Sequence, residues 1–292
     1  MTFQLDKSVC NAMGFTFERI FFWPHKMHPN PSKNISLLIL IHLVILLIHG
    51  PSSSFADNYA DCGKPFNCGS NIQNISYPFW GSDRPEQCGH PKFELSCVDG
   101  VTEISINTEA YRVLEMNQDT RTLLAVRADY FGDVCKTELR NATLLDTTVF
   151  NYTADTQPLT LFYTCDSPNG TSILPHFNCS ESGGSNTVNF YSVENLSGTP
   201  GNIPSELGRC EGSVVLNVSQ TQATTLRNLA TASNETLIKA VVDAGFSLVW
   251  NANDSLCDGC VSNGSRCGYN RGSEEFVCYQ NQNSTGTYAC NF

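Results

Sequence analysis

Only one long apolar stretch occurs in this chain, from Ser36 to Ile48, interrupted by His42 alone; everything downstream is cut into short segments. Glu103-Ile104-Ser105-Ile106 alternates apolar with polar, and Leu123-Leu124-Ala125-Val126-Arg127 is almost continuously apolar, both patterns of short strands. Leu159-Thr160-Leu161-Phe162-Tyr163 alternates again, and Phe246 to Trp250 forms a further strand candidate. Pro, Gly and Asn punctuate the intervals, and Ser182-Gly183-Gly184-Ser185-Asn186 and Ser197-Gly198-Thr199-Pro200-Gly201 read as loops. One helix is predicted late in the chain. Asn234-Glu235-Thr236 caps its start, Leu237, Ala240, Val241 and Ala244 share one face, and Gly245 suits its end. The pattern predicts a mainly β, disulfide-rich fold of two small cysteine-rich modules, residues 57–151 and 152–292, with that helix in the second.

The apolar stretch is preceded by Lys26 and Lys33 and followed by Ser54-Phe55-Ala56, a small-residue site suited to signal peptidase. It is shorter than the roughly 20 residues a spanning helix needs, so residues 1–56 read as an upstream extension plus cleaved signal peptide. A leader starting at Met1 is unusually long, and Met27 is the alternative start. No second apolar run follows Ala56, so no membrane span is expected in the mature chain, which is placed outside the cell. Retention of the signal segment, or continuation of the gene beyond Phe292, would instead put it at the cell surface.

Cysteine changes the picture most. Of 14 cysteines only Cys10 precedes the apolar run, and such density points to an oxidising compartment. Cys62, Cys68, Cys88, Cys97, Cys135, Cys165, Cys179, Cys210, Cys257, Cys260, Cys267 and Cys278 are expected to form six bridges, with connectivity and the identity of the spare thiol open and Cys290 unassigned. Glycosylation acceptor triplets start at Asn74, Asn141, Asn151, Asn169, Asn178, Asn195, Asn217, Asn234, Asn253, Asn263 and Asn283, the signature of a secreted glycoprotein. Ten of these eleven lie at or beyond Asn141, leaving most of the first module free of glycan.

The block from Cys62 to Cys97 carries more than spacing. Cys62 and Cys68 flank Lys64-Pro65-Phe66, Ile75-Ser76-Tyr77-Pro78-Phe79-Trp80 and Cys88-Gly89-His90-Pro91 follow, and Phe93-Glu94-Leu95-Ser96-Cys97 closes it. This block resembles the galacturonan-binding ectodomain of plant wall-associated receptor kinases. Tyr111-Arg112-Val113-Leu114, Leu159 to Cys165, Gly245 to Trp250 and Cys257-Asp258-Gly259-Cys260 extend the likeness to the leaf-rust-resistance-like receptor kinase branch and its C-terminal cysteine-rich module. The resemblance implies a polysaccharide-binding ectodomain that recognises cell-wall pectin, homogalacturonan or its oligomers, and in full-length relatives feeds a receptor kinase in plant defence. The glycine-rich loop, lysine strand and catalytic loop of a kinase are not found in this sequence. At Gln280 the family pattern has another cysteine, which leaves the last bridge open.

Charge constrains the partner. Without residues 1–56 the chain holds 13 basic against 26 acidic residues, which argues against nucleic acid and anionic membranes. Eight of those 13 basic residues lie between Cys62 and Arg140, so a basic face on the first module remains open. Sugar rings stack on aromatics, and uronate carboxylates accept charge-assisted hydrogen bonds, best from Arg. The candidate ligand contacts are therefore Trp80, Arg84, Lys92, Arg112, Arg127 and Lys64, with Tyr77 and Phe79 read as core. Calcium is an alternative bridge between acidic protein and acidic polymer, although no loop matches a calcium motif. No metal site is assigned, since Cys257, Cys260, Cys267 and Cys278, which could hold zinc as thiolates, are expected to oxidise instead.

Catalysis is poorly supported. Only His90 and His176 remain after the leader, no nucleophile elbow occurs, and Glu274-Glu275 reads as a solvated turn rather than a glycosidase pair. The competing class is a protein-interaction ectodomain or decoy that binds a co-receptor, a peptide or a pathogen protein.

Overall fold

A computed structural model describes residues 54–141, 147–166, 175–179, 187–193, 209–228 and 235–281. The apolar stretch, both predicted loops, Asn169, Asn195, Asn234, Asn283 and Cys290 lie outside these residues.

The chain enters through helix α1 (Ser54–Asp61) and a hairpin of β1 (Phe66–Cys68) and β2 (Ile72–Ile75). Next come β3 (Leu95–Val98), β4 (Val101–Ile106), β5 (Glu109–Asn117) and β6 (Thr122–Arg127), an antiparallel meander. Period-2 burial explains it: Ile104 and Ile106, Tyr111 and Val113, Leu123 and Ala125 turn inward while Ser105, Ala110 and Arg112 turn out. β7 (Phe150–Tyr152) leads into β8 (Thr156–Asp166), β9 (His176–Phe177), β10 (Thr187–Ser192) and β11 (Cys210–Ser219). Strands β8 to β11 make a second sheet, ordered β11-β8-β10-β9. Helices α2 (Gln220–Asn228) and α3 (Glu235–Asp243) follow, then β12 (Phe246–Trp250), α4 (Asp254–Ser262) and a hairpin of β13 (Arg266–Asn270) and β14 (Glu275–Tyr279).

The predicted strands all form, and the mainly β, disulfide-rich class is correct. The helical content is larger than expected, because α2 and α4 join α3 in the C-terminal half. The predicted helix exists, but its buried stripe is Ile238, Val241 and Val242, and Ala240 faces solvent. Gly245 ends it with φ +71°, where a Cβ would sit 2.6 Å from the Ala125 carbonyl oxygen.

The first sheet draws strands from both sides of residue 151. β12 inserts between β6 and β7, pairing Phe246 with Ala125 and Trp250 with Phe150, so the first sheet runs β3-β4-β5-β6-β12-β7. Asn58–Tyr279 forms one compact unit. The remaining unit combines Met1–Asp57 with Gln280–Phe292, nearly all of it outside the described residues.

Two cores result. Phe66, Tyr77, Phe79, Phe93, Leu95, Phe150, Leu248 and Trp250 belong to the core on the inner face of the first sheet. Val126, Leu159, Leu161, Tyr163, Val214 and Leu216 build the other with α2 and α3. Phe79 is fully buried, edge-on to Phe93 at 5.3 Å and to Trp250 at 4.9 Å. Each such ring pair adds about 0.5–1.5 kcal/mol to the burial term.

Six disulfides join Cys62 to Cys88, Cys68 to Cys97, Cys135 to Cys179, Cys165 to Cys210, Cys257 to Cys267 and Cys260 to Cys278. All twelve expected cysteines are thus used, and the last four are bridged rather than arranged as thiolate ligands. Among the described residues no group of three or more His, Cys, Asp or Glu is placed to hold a metal ion. No helix among them is long and apolar enough to cross a membrane.

Candidate functional site

The Ile75 to Trp80 segment sorts its side chains by face. The Tyr77 hydroxyl donates to the Ala252 carbonyl at 3.0 Å, and its ring meets Phe276 edge-on. Desolvation of that buried hydroxyl pushes its pKa far above the ordinary tyrosine value. Phe79 fills the core, so Trp80, next in an extended segment, is delivered to the opposite side. Its amide donates to the Phe93 carbonyl, and its own carbonyl accepts from Leu95, which adds Trp80 to the free edge of β3 as a short parallel partner of Glu94. The indole N–H donates to the His90 carbonyl at 2.9 Å. Gly89 is required beneath it, because a Cβ there would meet Pro78 O and Trp80 Cδ1 at 2.6 Å.

Beyond β3 the outer face of the sheet continues. Ser96 lies opposite Glu103, Glu103 opposite Arg112, and Ser105 opposite Ala110. Between the Pro91-Lys92 turn and this face lies a cleft of about 340 Å³, lined by Pro91, Lys92, Glu94, Ser96, Glu103 and Ser105 among others. Arg112 pairs with the lining residue Glu103, its Nε 3.8 Å from Glu103 Oε1, an ion pair too long for a hydrogen bond. Its guanidinium also stacks over Phe131 at 4.4 Å.

Trp80, Lys92 and Arg112 therefore share one surface. The other predicted contacts do not join it. Arg84 is 2% exposed, turned inward by the Gly81–Arg84 backbone pair, and donates to the carbonyls of Phe79, Cys62, Lys64 and Cys88. Burial, with Arg266 adding like charge, lowers its pKa to about 10, so it stays charged at neutral pH. It locks the loop around the Cys62–Cys88 bridge and has no solvent-facing edge to offer a ligand. Arg127 is 4% exposed, held by both carboxylate oxygens of Asp129 and by the Arg140 carbonyl. Burial would depress its pKa, but the Asp129 hydrogen bonds and charge outweigh this and raise it. Lys64 is exposed, paired with Asp61 at 2.6 Å, and lies off the cleft.

The sequence missed Arg271 and Tyr269. The Arg271 guanidinium lies 4.7 Å above the Trp80 ring and 3.3 Å from Glu86, and the Tyr269 ring lies 5.0 Å from His90. His90 is half-buried, and its Nδ1 accepts from the Lys92 amide. Desolvation first, then Lys92 and Arg271, hold its pKa below the ordinary histidine value. This ring is a structural spacer, with no nucleophile or metal group assembled around it among the described residues.

The model of the wall-associated receptor kinase galacturonan-binding domain matches residues 62–127, and that of the wall-associated receptor kinase C-terminal domain matches residues 178–283. The chain belongs to the family of wall-associated receptor kinase ectodomains. Its curated relatives include leaf rust 10 disease-resistance locus receptor-like protein kinase-like 2.1 of Arabidopsis thaliana, 32% identical over 84% of this chain and 37% of the relative. The corresponding 2.5 protein of the same plant is 31% identical over 85% of this chain and 37% of its own length. The chain thus spans little more than a third of these relatives, within their extracellular region, and neither matching model is a kinase domain. No solved structure matches the chain.

Proposed function

We propose that this protein recognises de-esterified pectin, homogalacturonan or its oligomers, on the outer face of the first sheet. The observation that carries the reading is the cleft between the Pro91-Lys92 turn and strands β3 and β4, with Trp80 bridged to its lining residue Glu94 and Arg112 paired with its lining residue Glu103, inside the galacturonan-binding domain. Trp80 and Arg112 stand three strand spacings apart, about 14 Å at ~4.8 Å each, a span for an oligomer rather than a single ring. Ser96 and Ser105 supply hydroxyls for sugar hydroxyls, while Lys92 and Arg112 supply charge-assisted donors for carboxylates. Uronates would compete with Glu103 for Arg112, and that exchange is favourable only if the polymer places its carboxylates closer than the 3.8 Å of the resident pair.

The surroundings fit an extracellular carbohydrate receptor. Six disulfides suit an oxidising compartment. The acceptor residues Asn74, Asn141, Asn151, Asn178, Asn253 and Asn263 are exposed, and no described acceptor lines the cleft, so glycans would leave it open. Secretion through the apolar leader completes this reading.

The test is calorimetric titration of the secreted, glycosylated protein with oligogalacturonides, using neutral oligosaccharides as control, over a salt series with and without calcium. Binding confined to uronates, weakening as salt rises and lost in Lys92→Ala with Arg112→Ala, is expected. Absence of uronate binding refutes the proposal and shifts the search to a protein partner, whose apolar contacts would be insensitive to salt.

A further inference from the structure

We infer that the C-terminal domain contributes directly to the pectin-binding face, through Arg271 on the β13–β14 turn, and that the recognition surface is complete only when both domains are present. This inference rests on the proposed function and extends it to a residue outside the galacturonan-binding domain, which ends at residue 127.

The hairpin is fixed in place rather than tethered loosely. Cys267 and Cys278, opposite each other in its register, are bridged to Cys257 and Cys260 of α4. Phe276 packs edge-on against Tyr77 at 5.5 Å, and Tyr279 is buried with the Cys62–Cys88 bridge. Tyr269 abuts His90. The turn joining β13 to β14 is thereby held over the Trp80-His90 turn, and Arg271 reaches the indole from that position.

What it presents there is specific. A guanidinium stacked on an aromatic face uses its π surface for the ring and keeps its N–H edge, in the guanidinium plane, for a planar acceptor. Here the Nε edge meets Glu86 Oε2 at 3.3 Å, in a pair whose side chains are 36% and 62% exposed. A carboxylate therefore already occupies the position where a uronate would dock, and it is a solvent-accessible carboxylate that a ligand can displace. Glu86 is then a resident competitor that keeps the fork oriented and sets the affinity threshold. The Trp80 ring is partly exposed and bridged through its backbone to Glu94, which lines the cleft, so a sugar chain leaving the cleft passes beside the same guanidinium.

The test uses the full secreted chain and a defined de-esterified oligogalacturonide, with affinity and melting temperature measured for wild type, Arg271→Ala, Arg271→Lys and Glu86→Gln. Expected are a tenfold or greater loss for Arg271→Ala, a loss nearly as large for Arg271→Lys, which keeps charge without the fork, and a several-fold gain for Glu86→Gln. Melting temperatures should be unchanged in all three variants, because both positions lie at the surface. The gain in Glu86→Gln is the decisive readout, since a merely structural Glu86–Arg271 pair would leave affinity level or lower it. If wild type binds and all three variants bind as wild type does, the assignment to Arg271 is overturned while the pectin reading stands. If wild type itself fails to bind, both fall.

Discussion

Arg84 and Arg112 are chemically identical and do opposite jobs. Arg84 spends its donors on four main-chain carbonyls in the interior, so replacing it with Met leaves buried acceptors unmet. A stability loss of about 3 kcal/mol or more is expected by denaturant titration, with uronate affinity of the folded fraction unchanged. Arg112→Ala should do the reverse, weakening uronate binding with little effect on stability, because its ion pair with Glu103 is half-exposed. His90 gives a third residue-scale expectation. Its folded pKa is lowered from 6.5 by burial, Lys92 and Arg271, so the unfolded chain takes up the proton more readily. Stability is then full above the unfolded pKa of about 6.5 and falls as pH drops through it, levelling below the folded pKa. The loss arises because a charged His90 ring is desolvated and faces the like charges of Lys92 and Arg271. Thermal melts of His90→Asn should lack this component of the acid-side decline. None of these roles was written in the residue types. Sequence places Arg84 two residues from Glu86 and four from Cys88 in a loop, and nothing in that spacing says that the Gly81–Arg84 turn folds the guanidinium inward.

Elements were more legible than side-chain roles. Strands β4, β6, β8 and β12 announce themselves because a face that packs on a core must alternate, or be apolar throughout when both faces are covered. α3 was legible as a helix but not in phase. Its sequence Glu235-Thr236-Leu237-Ile238-Lys239-Ala240-Val241-Val242 offers two overlapping apolar stripes, and only the packing of the second core selects the one through Ile238 and Val242. Ile238→Ala is therefore expected to cost about 2–5 kcal/mol by chemical denaturation, while Ala240→Glu should be nearly neutral. α2 and α4 escaped notice because Thr, Gln, Gly and Cys dilute their periodicity, and α4 is held by its two bridges as much as by any apolar stripe. Arg271 was missed for a related reason: it belongs to a turn whose position is set by cysteine pairings that sequence leaves open.

At the scale of the whole molecule, the first sheet takes its strands from both matched domains. A fragment of residues 57–151 would lack β12, exposing the β6 edge and leaving the Phe246, Leu248 and Trp250 share of its core empty. Such a fragment is expected to show no cooperative melt and no dispersed amide spectrum, whereas residues 57–281 should show both. The insertion of β12 also reaches back to how the chain is made. Strands β3 to β6 leave the ribosome in sequence, but the partner that completes their sheet emerges only with Trp250, 123 positions after Arg127. At roughly 5–20 residues per second that is an interval of about 6–25 seconds in which one edge of β6 stands unpaired, a surface for chaperones to hold and for neighbouring nascent chains to find.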